Sequence, residues 1–131
     1  MSENTNLKIA LDNASDLFNN NNLNECIEQL EEILNIHPSN LKALSLLLDI
    51  NIKLNRAEKA LKIIKKLIQL EPDSKEHHEK LVKVHQFLND NSAYESALID
   101  FHKKFPSITT ARLISNIHIE NDREEESDQV I

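Results

Sequence analysis

The sequence predicts an all-α fold, a solenoid of three helical hairpins closed by a capping helix, on three observations. The prolines, Pro38, Pro72 and Pro106, stand 34 residues apart, and there is no other proline. There is no glycine, and asparagine occupies the breaks in the pattern, at Asn19-Asn20-Asn21-Asn22, Asn55 and Asn89-Asp90-Asn91. Between the breaks, apolar residues return at the spacing of one helical face. A fixed period of this size marks an array of helical repeats, and about three are needed because no single repeat buries its own apolar face.

Residues 1–6 are polar and read as a flexible lead-in. The repeats then run over about 7–40, 41–74 and 75–108. In the first, Ala10, Ala14 and Leu17 form one helical stripe, and the asparagine run ends that helix; asparagine is the next residue after glycine to accept the left-handed conformation. The second helix spans about Asn24 to Ile36, with Ile27, Leu30, Ile33 and Leu34 on one side and Asn24 as its N-cap. His37-Pro38 closes it, because the residue before a proline is pushed out of helical geometry.

In the second repeat, Leu41 to about Leu54 is apolar nearly all round, which predicts a helix flanked on most sides. Its partner, about Arg56 to Leu70, presents Ala57, Ala60, Leu61, Ile64, Leu67 and Ile68. The third repeat is less regular, with Leu81, Val84 and Leu88 on its first helix and Tyr94, Ala97, Leu98, Phe101 and Phe105 on its second. A last helix over 107–119, capped by Ser107 or Thr109, carries the stripe Ile108, Ala111, Ile114 and Ile117 and covers the end of the array, as repeat arrays require for solubility. Residues 120–131 hold six acids and one base, and read as an acidic disordered tail.

With the prolines, breaks and stripes in place, the sequence resembles the tetratricopeptide repeat (TPR) family over about Leu7 to Ile108. The segment Asn55-Arg-Ala-Glu-Lys-Ala-Leu-Lys-Ile-Ile-Lys-Lys-Leu-Ile-Gln-Leu-Glu-Pro72 is its clearest copy. The family keeps a small residue twelve positions before the proline, matched by Cys26 and Ala60. Tyr94 stands there in repeat three, so the resemblance places the small residue at Ala97, with three extra residues before it and three fewer after it. The small residue of the first helix is Ala14; Leu48 replaces it in repeat two, and Val82 or His85 in repeat three, depending on register. The family's tryptophan and glycine are missing. The resemblance implies a right-handed solenoid. A narrower resemblance, over Phe101-His-Lys-Lys-Phe-Pro-Ser-Ile-Thr-Thr-Ala-Arg-Leu-Ile114, is to the last TPR segment of the lipopolysaccharide-assembly regulators of Gram-negative bacteria.

Composition excludes several classes. The net charge is −7, but the body before residue 120 is nearly neutral and provides no field for nucleic acid or an anionic membrane. The longest apolar run, Leu46-Leu47-Leu48, is far too short to cross a bilayer. The N-terminus shows no apolar targeting core, and the single cysteine, Cys26, precludes an internal disulfide. The expectation is a cytoplasmic protein. Without glycine there is no phosphate-cradling loop. His78 and His85 share a helix face but lie about 10 Å apart along the axis, too far to ligate one zinc together. Cys26 occupies a packing position, where free cysteine is commonly buried. The expectation is no enzyme, no cofactor and no metal.

The functional expectation follows from the family resemblance: a non-enzymatic adaptor or scaffold that binds a protein, as a peptide or partner helix, in the concave groove lined by the first helices. By family position the groove presents Leu11, Ser15 and Phe18 from repeat one. Repeat two supplies Lys42, Ser45, Asp49, Ile52 and Lys53, and repeat three Glu79, Lys83 and Gln86. The chaperone-binding subclass grips a terminal carboxylate with lysine and asparagine; Leu11 and Ser15 stand at the matching first-repeat positions, so that clamp is absent. Two alternatives are a regulatory role in envelope lipopolysaccharide assembly, from the narrower resemblance, and a structural subunit of a larger complex. The sequence names neither the partner nor an oligomeric state. Finally, Glu25, Glu28, Glu31 and Glu32 become Lys59, Lys62, Lys65 and Lys66 one repeat later. Adjacent stripes of opposite charge predict at least one ion pair within about 4 Å.

Overall fold

Each hairpin turns on one asparagine. Asn21, Asn55 and Asn89, again 34 residues apart, have φ of 63°, 58° and 57°, in the left-handed region. The Asn21 N–H donates to the Phe18 carbonyl at 3.0 Å, and the Asn22 N–H to the Leu17 carbonyl at 2.8 Å. One repeat on, Asn55 donates to Ile52 at 3.1 Å and Arg56 to Asn51 at 2.8 Å. These are the two bonds that satisfy the last carbonyls of a helix and reverse the chain. In the third turn, Asn89 donates to the Gln86 carbonyl at 3.3 Å.

The computed structural model describes residues 3–129. The helices among them are α1 (Glu3–Asn19), α2 (Leu23–Ile36), α3 (Leu41–Lys53), α4 (Ala57–Leu70), α5 (Lys75–Phe87), α6 (Asn91–Lys104) and α7 (Ile108–Gln129). The second helices of the repeats begin and end at the same positions of the 34-residue period, and all three end in the same way. His37, Glu71 and Phe105, each before a proline, leave helical geometry at ψ of 76°, 76° and 74°. Their N–H groups donate back to Ile33, Leu67 and Phe101. Proline forces the residue before it into extended backbone, and the helix stops there.

Several expectations are corrected. Of the expected lead-in 1–6, Met1 and Ser2 lie outside the described residues and α1 already begins at Glu3, with no glycine or proline to stop it. The N-cap of α2 is Asn22, two residues before Asn24, because the left-handed turn at Asn21 has already reversed the chain. The third repeat carries no shift before Ala97: α6 keeps the register of α2 and α4, so Tyr94 takes the place of Cys26 and Ala60, and Val82 that of Ala14. The last helix does not end at 119. It continues through 120–129, where the sequence reading places a disordered tail, since that stretch holds neither proline nor glycine and is rich in good helix formers. Val130 and Ile131, the end of that tail, lie outside the described residues.

The chain divides into two compact units, Met1–His77 and His78–Ile131. In the first, α3 packs against α1, α2 and α4, as its all-round apolar surface requires. Ala14, Cys26, Leu30, Ile33, Ala43 and Ile50 form a continuous buried cluster. In the second unit α7 packs on α6, with Val84, Leu98 and Phe101 buried. Two register positions are buried in every repeat: Leu30, Ile64 and Leu98, and Ile33, Leu67 and Phe101.

The face that α7 buries differs from the expected stripe. Ile108 is 75% exposed and Ala111 is exposed, while Thr110 is buried and Ile114 and Ile117 are half-buried. Polar groups decide this. Ser107 caps α7 by accepting the Thr110 N–H at 3.1 Å, and the Thr110 hydroxyl lies 2.6 Å from His102 Nδ1 on α6. Seating Thr110 inward turns Ile108 outward.

Two outcomes are expected. Asn55→Ala lowers unfolding free energy by about 1 kcal/mol, because alanine resists positive φ, whereas Asn55→Gly leaves stability unchanged or slightly raised; urea titration checks both. Deleting the chain from Ser107 onward lowers the melting temperature measured by circular dichroism, since it uncovers the surface that Thr110, Ile114 and Ile117 protect.

Candidate partner-binding site

On α3 the residues Lys42, Ser45, Asp49, Ile52 and Lys53 fall within about 100° of the helix circumference at 3.6 residues per turn. Lys42 and Lys53 stand at opposite ends of that stripe, about 16 Å apart by helical rise. Both are exposed, while Ser45, Asp49 and Ile52 are half-buried. Leu11, Ser15 and Phe18 follow the same face of α1, all half-buried; α1 packs directly against α3, and Leu11 and Phe18 also rest on the buried cluster.

The structure brings two of these residues together. Lys53 Nζ sits 5.8 Å from the centroid of the Phe18 ring and donates to Asn21 Oδ1 at 2.9 Å. The ammonium is thus held between an aromatic face and the side chain of the first left-handed turn. A cation over a ring is attracted by the ring quadrupole, and the amide oxygen takes one of its three donors. Asn21 was not among the expected site residues, yet its signal was in the sequence: it shares the 34-residue spacing with Asn55 and Asn89.

The remaining expected positions, Glu79, Lys83 and Gln86, are exposed along α5 in the second unit. Around them His78 stacks 5.8 Å from Phe105, and His85 keeps a buried Nδ1 without a hydrogen-bond partner. His77, in the first unit, is buried, with Nε2 2.8 Å from Glu71 Oε1.

Cys26 is fully buried, and its thiol donates to the Ala14 carbonyl at 3.2 Å. Burial pushes the thiol pKa up from its ordinary value, against a smaller opposing effect of a backbone hydrogen bond at Phe18. A thiol held protonated and covered is a poor nucleophile. Cys26 and Ala14 instead let α1 and α2 approach closely.

On the other side of α3, α2 and α4 flank a cleft of about 290 Å³. Ile27 and Glu31 line it from α2, Lys59, Lys62 and Ile63 from α4, and Leu47 and Asn51 from α3, with Arg56 at the turn. Asn51 is buried and donates to the Leu47 carbonyl at 2.8 Å. The expected ion pair is absent: among the described residues, no glutamate of the α2 stripe reaches a lysine of the α4 stripe within 4.0 Å. The cleft holds the two helices apart, and the stripes are separate surfaces.

Residues 3–83 match the tetratricopeptide repeat family. The chain belongs to that family. The match covers the first two repeats and most of α5, and the all-α TPR fold accounts for the hairpins described above. Solved structures of similar fold include MamA from Desulfovibrio magneticus RS-1 (TM-score 0.72, 11% identity, 94% of this chain and 70% of that one). Yeast Tom70 has a TM-score of 0.79 at 12% identity, with 98% of this chain matched to 26% of that one. The first TPR domain of Spaghetti (RPAP3), bound to the HSP90 peptide SRMEEVD, has a TM-score of 0.68 at 9% identity, over 88% of this chain and 93% of that one. No curated protein sequence matches. Among the described residues, no helix is long and apolar enough to cross a membrane, and no three His, Cys, Asp or Glu side chains gather as a metal would need.

Native Cys26 is expected to resist a thiol-specific reagent and to react at once in denaturant; rapid labelling of the folded chain would contradict its packing role.

Proposed function

We propose that this TPR domain is a non-enzymatic interaction module that binds an acidic segment of a partner protein along the α1–α3 face. The observation that carries the reading is Lys53, fixed over Phe18 by Asn21, with Lys42 at the far end of the same stripe. Two cations about 16 Å apart, with half-buried Phe18 and Ile52 beside them, suit a segment of alternating acidic and apolar residues. A lysine already restrained loses less rotamer freedom on binding than a free one.

A relative in fold, the RPAP3 domain, holds a peptide ending in Glu-Glu-Val-Asp, which supports an acidic ligand class. Leu11 and Ser15 make a different floor from the lysine–asparagine clamp, so the segment need not end in a free carboxylate. Ser45, between the two lysines, adds a hydroxyl that can donate to the segment and fix its register. The reading places the protein as an adaptor in the cytoplasm.

The test is a peptide array of acidic and basic segments probed with the full chain. Acidic apolar peptides should bind, and Lys42→Glu/Lys53→Glu should weaken them about tenfold or more. Melting temperature should barely move, because exposed substitutions change stability by about 0.5 kcal/mol or less. Peptides held equally well by the double variant, or a double variant that fails to fold, would sink the reading.

A further inference from the structure

Among the described residues the two charged stripes of the first unit form no ion pair with each other, and their arrangement is self-complementary. Glu25, Glu28, Glu31 and Glu32 on α2 are exposed; so are Lys59, Lys62 and Lys65 on α4, with Lys66 half-buried. The two sets occupy equivalent positions of the 34-residue period. Helices α2 and α4 each form a short-looped hairpin with α3 and pack against it, so they run in the same direction on either side of the cleft.

That geometry selects one symmetry operator. Take a two-fold axis lying along the cleft, parallel to both helices. Rotation about it sets a second copy face to face with the first and exchanges left for right while keeping height along the helices. The second copy's α2 then lies over the first copy's α4, with Glu28 opposite Lys62 and the other acids at the heights of the other lysines. A two-fold axis at right angles to the helices would instead set acids over acids and lysines over lysines. We propose that the α2–α4 face is a homodimer interface, with a second copy of this chain as its occupant and the two-fold axis running along the cleft.

Three further features agree with this occupant. A two-fold interface uses the same patch on both copies, so the patch must complement itself, and two parallel stripes of opposite sign in one register do so. The cleft between the stripes is lined by the apolar Ile27, Leu47 and Ile63 together with Glu31 of one stripe and Lys59 and Lys62 of the other, so a second copy would bury apolar surface beside the paired charges. The net charge of −7 opposes association, but residues 120–131, with six acids and one base, carry five of those seven charges, away from the stripes in sequence.

Sedimentation equilibrium of the full chain tests the proposal. The wild-type chain should dimerise at about 50 mM salt and dissociate progressively as salt rises, since exposed pairs are screened beyond about 10 Å at 0.1 M. Glu28→Lys and Lys62→Glu should each weaken the dimer on the order of tenfold or more, because each variant turns both symmetry-related attractions into repulsions. Mixing the two single variants in equal amounts should restore dimer formation: in the mixed dimer a lysine at 28 meets a glutamate at 62 on one side, and the native pair meets on the other. Circular dichroism confirms that each variant is folded, and Glu25→Lys with Lys59→Glu provides a second pair under the same logic. A wild-type chain that stays monomeric at low salt, single variants that dimerise as well as wild type, or a mixture that fails to recover would each overturn the proposal. Monomer in every condition would leave the stripes to a mixed-charge partner from another chain.

Discussion

The structure depends on a left-handed residue placed once in every 34. An α-helix leaves its last carbonyls without partners, and a chain that must fold straight back has to satisfy them within two residues. Asn21 and Asn55 do so by adopting positive φ, after which their own N–H and the next one reach back to the helix. Any residue with a Cβ resists this conformation, by roughly 1–2 kcal/mol for most residues, and glycine is the ordinary solution. This chain has no glycine. Asparagine accepts the geometry because its short polar side chain bonds locally, and at Asn21 the amide also receives a bond from Lys53. One residue thus both closes a hairpin and restrains a side chain of the candidate binding face.

The turns set where the helices go; the buried positions hold them there. A fully buried leucine or isoleucine contributes about 1.5–3 kcal/mol, more than a single cap of about 1 kcal/mol. The positions of Leu30 and Ile33 are filled by buried apolar side chains in all three repeats, so the packing term repeats with the period. Between α1 and α2, small side chains at Ala14 and Cys26 permit a close approach, with the Cys26 thiol 3.2 Å from the Ala14 carbonyl. Leu48 opposite Ala60, and Val82 with Tyr94, are bulkier pairs at the same two positions of the later repeats. The departures from the family pattern therefore leave the hairpins intact.

Function follows from what this packing leaves uncovered. A TPR hairpin buries one stripe of each helix, and the remaining faces are free to carry charge. On the α1–α3 side that surface joins two lysines to half-buried Phe18 and Ile52. On the α2–α4 side it separates a row of acids from a row of lysines by a cleft. The second arrangement shows how distance overrides pattern: opposite charges at equivalent positions suggest an internal bridge, yet helices that both pack on α3 stand too far apart for their outer faces to meet. Desolvation is not involved, since nearly all of these groups are in water; separation alone decides.

The sequence by itself determined the period, the array and the proline-stopped ends of α2, α4 and α6. Proline at 38, 72 and 106 and asparagine at 21, 55 and 89 act through backbone geometry, which is local and can be read without knowing the neighbours. The apolar stripes of α2, α3 and α4 likewise announced which faces are buried. Features that depend on two elements meeting were settled only by the tertiary structure. The inward turn of Thr110 rests on its contact with His102 across two helices, and a count of apolar residues favours Ile108. The contact of Lys53 with Phe18 and Asn21 joins positions more than thirty residues apart in sequence. The unpaired charge stripes depend on the distance between α2 and α4. Local rules fix dihedral angles, whereas contacts between side chains depend on how far apart packing places the helices, and that distance is set jointly by every residue in the layer between them.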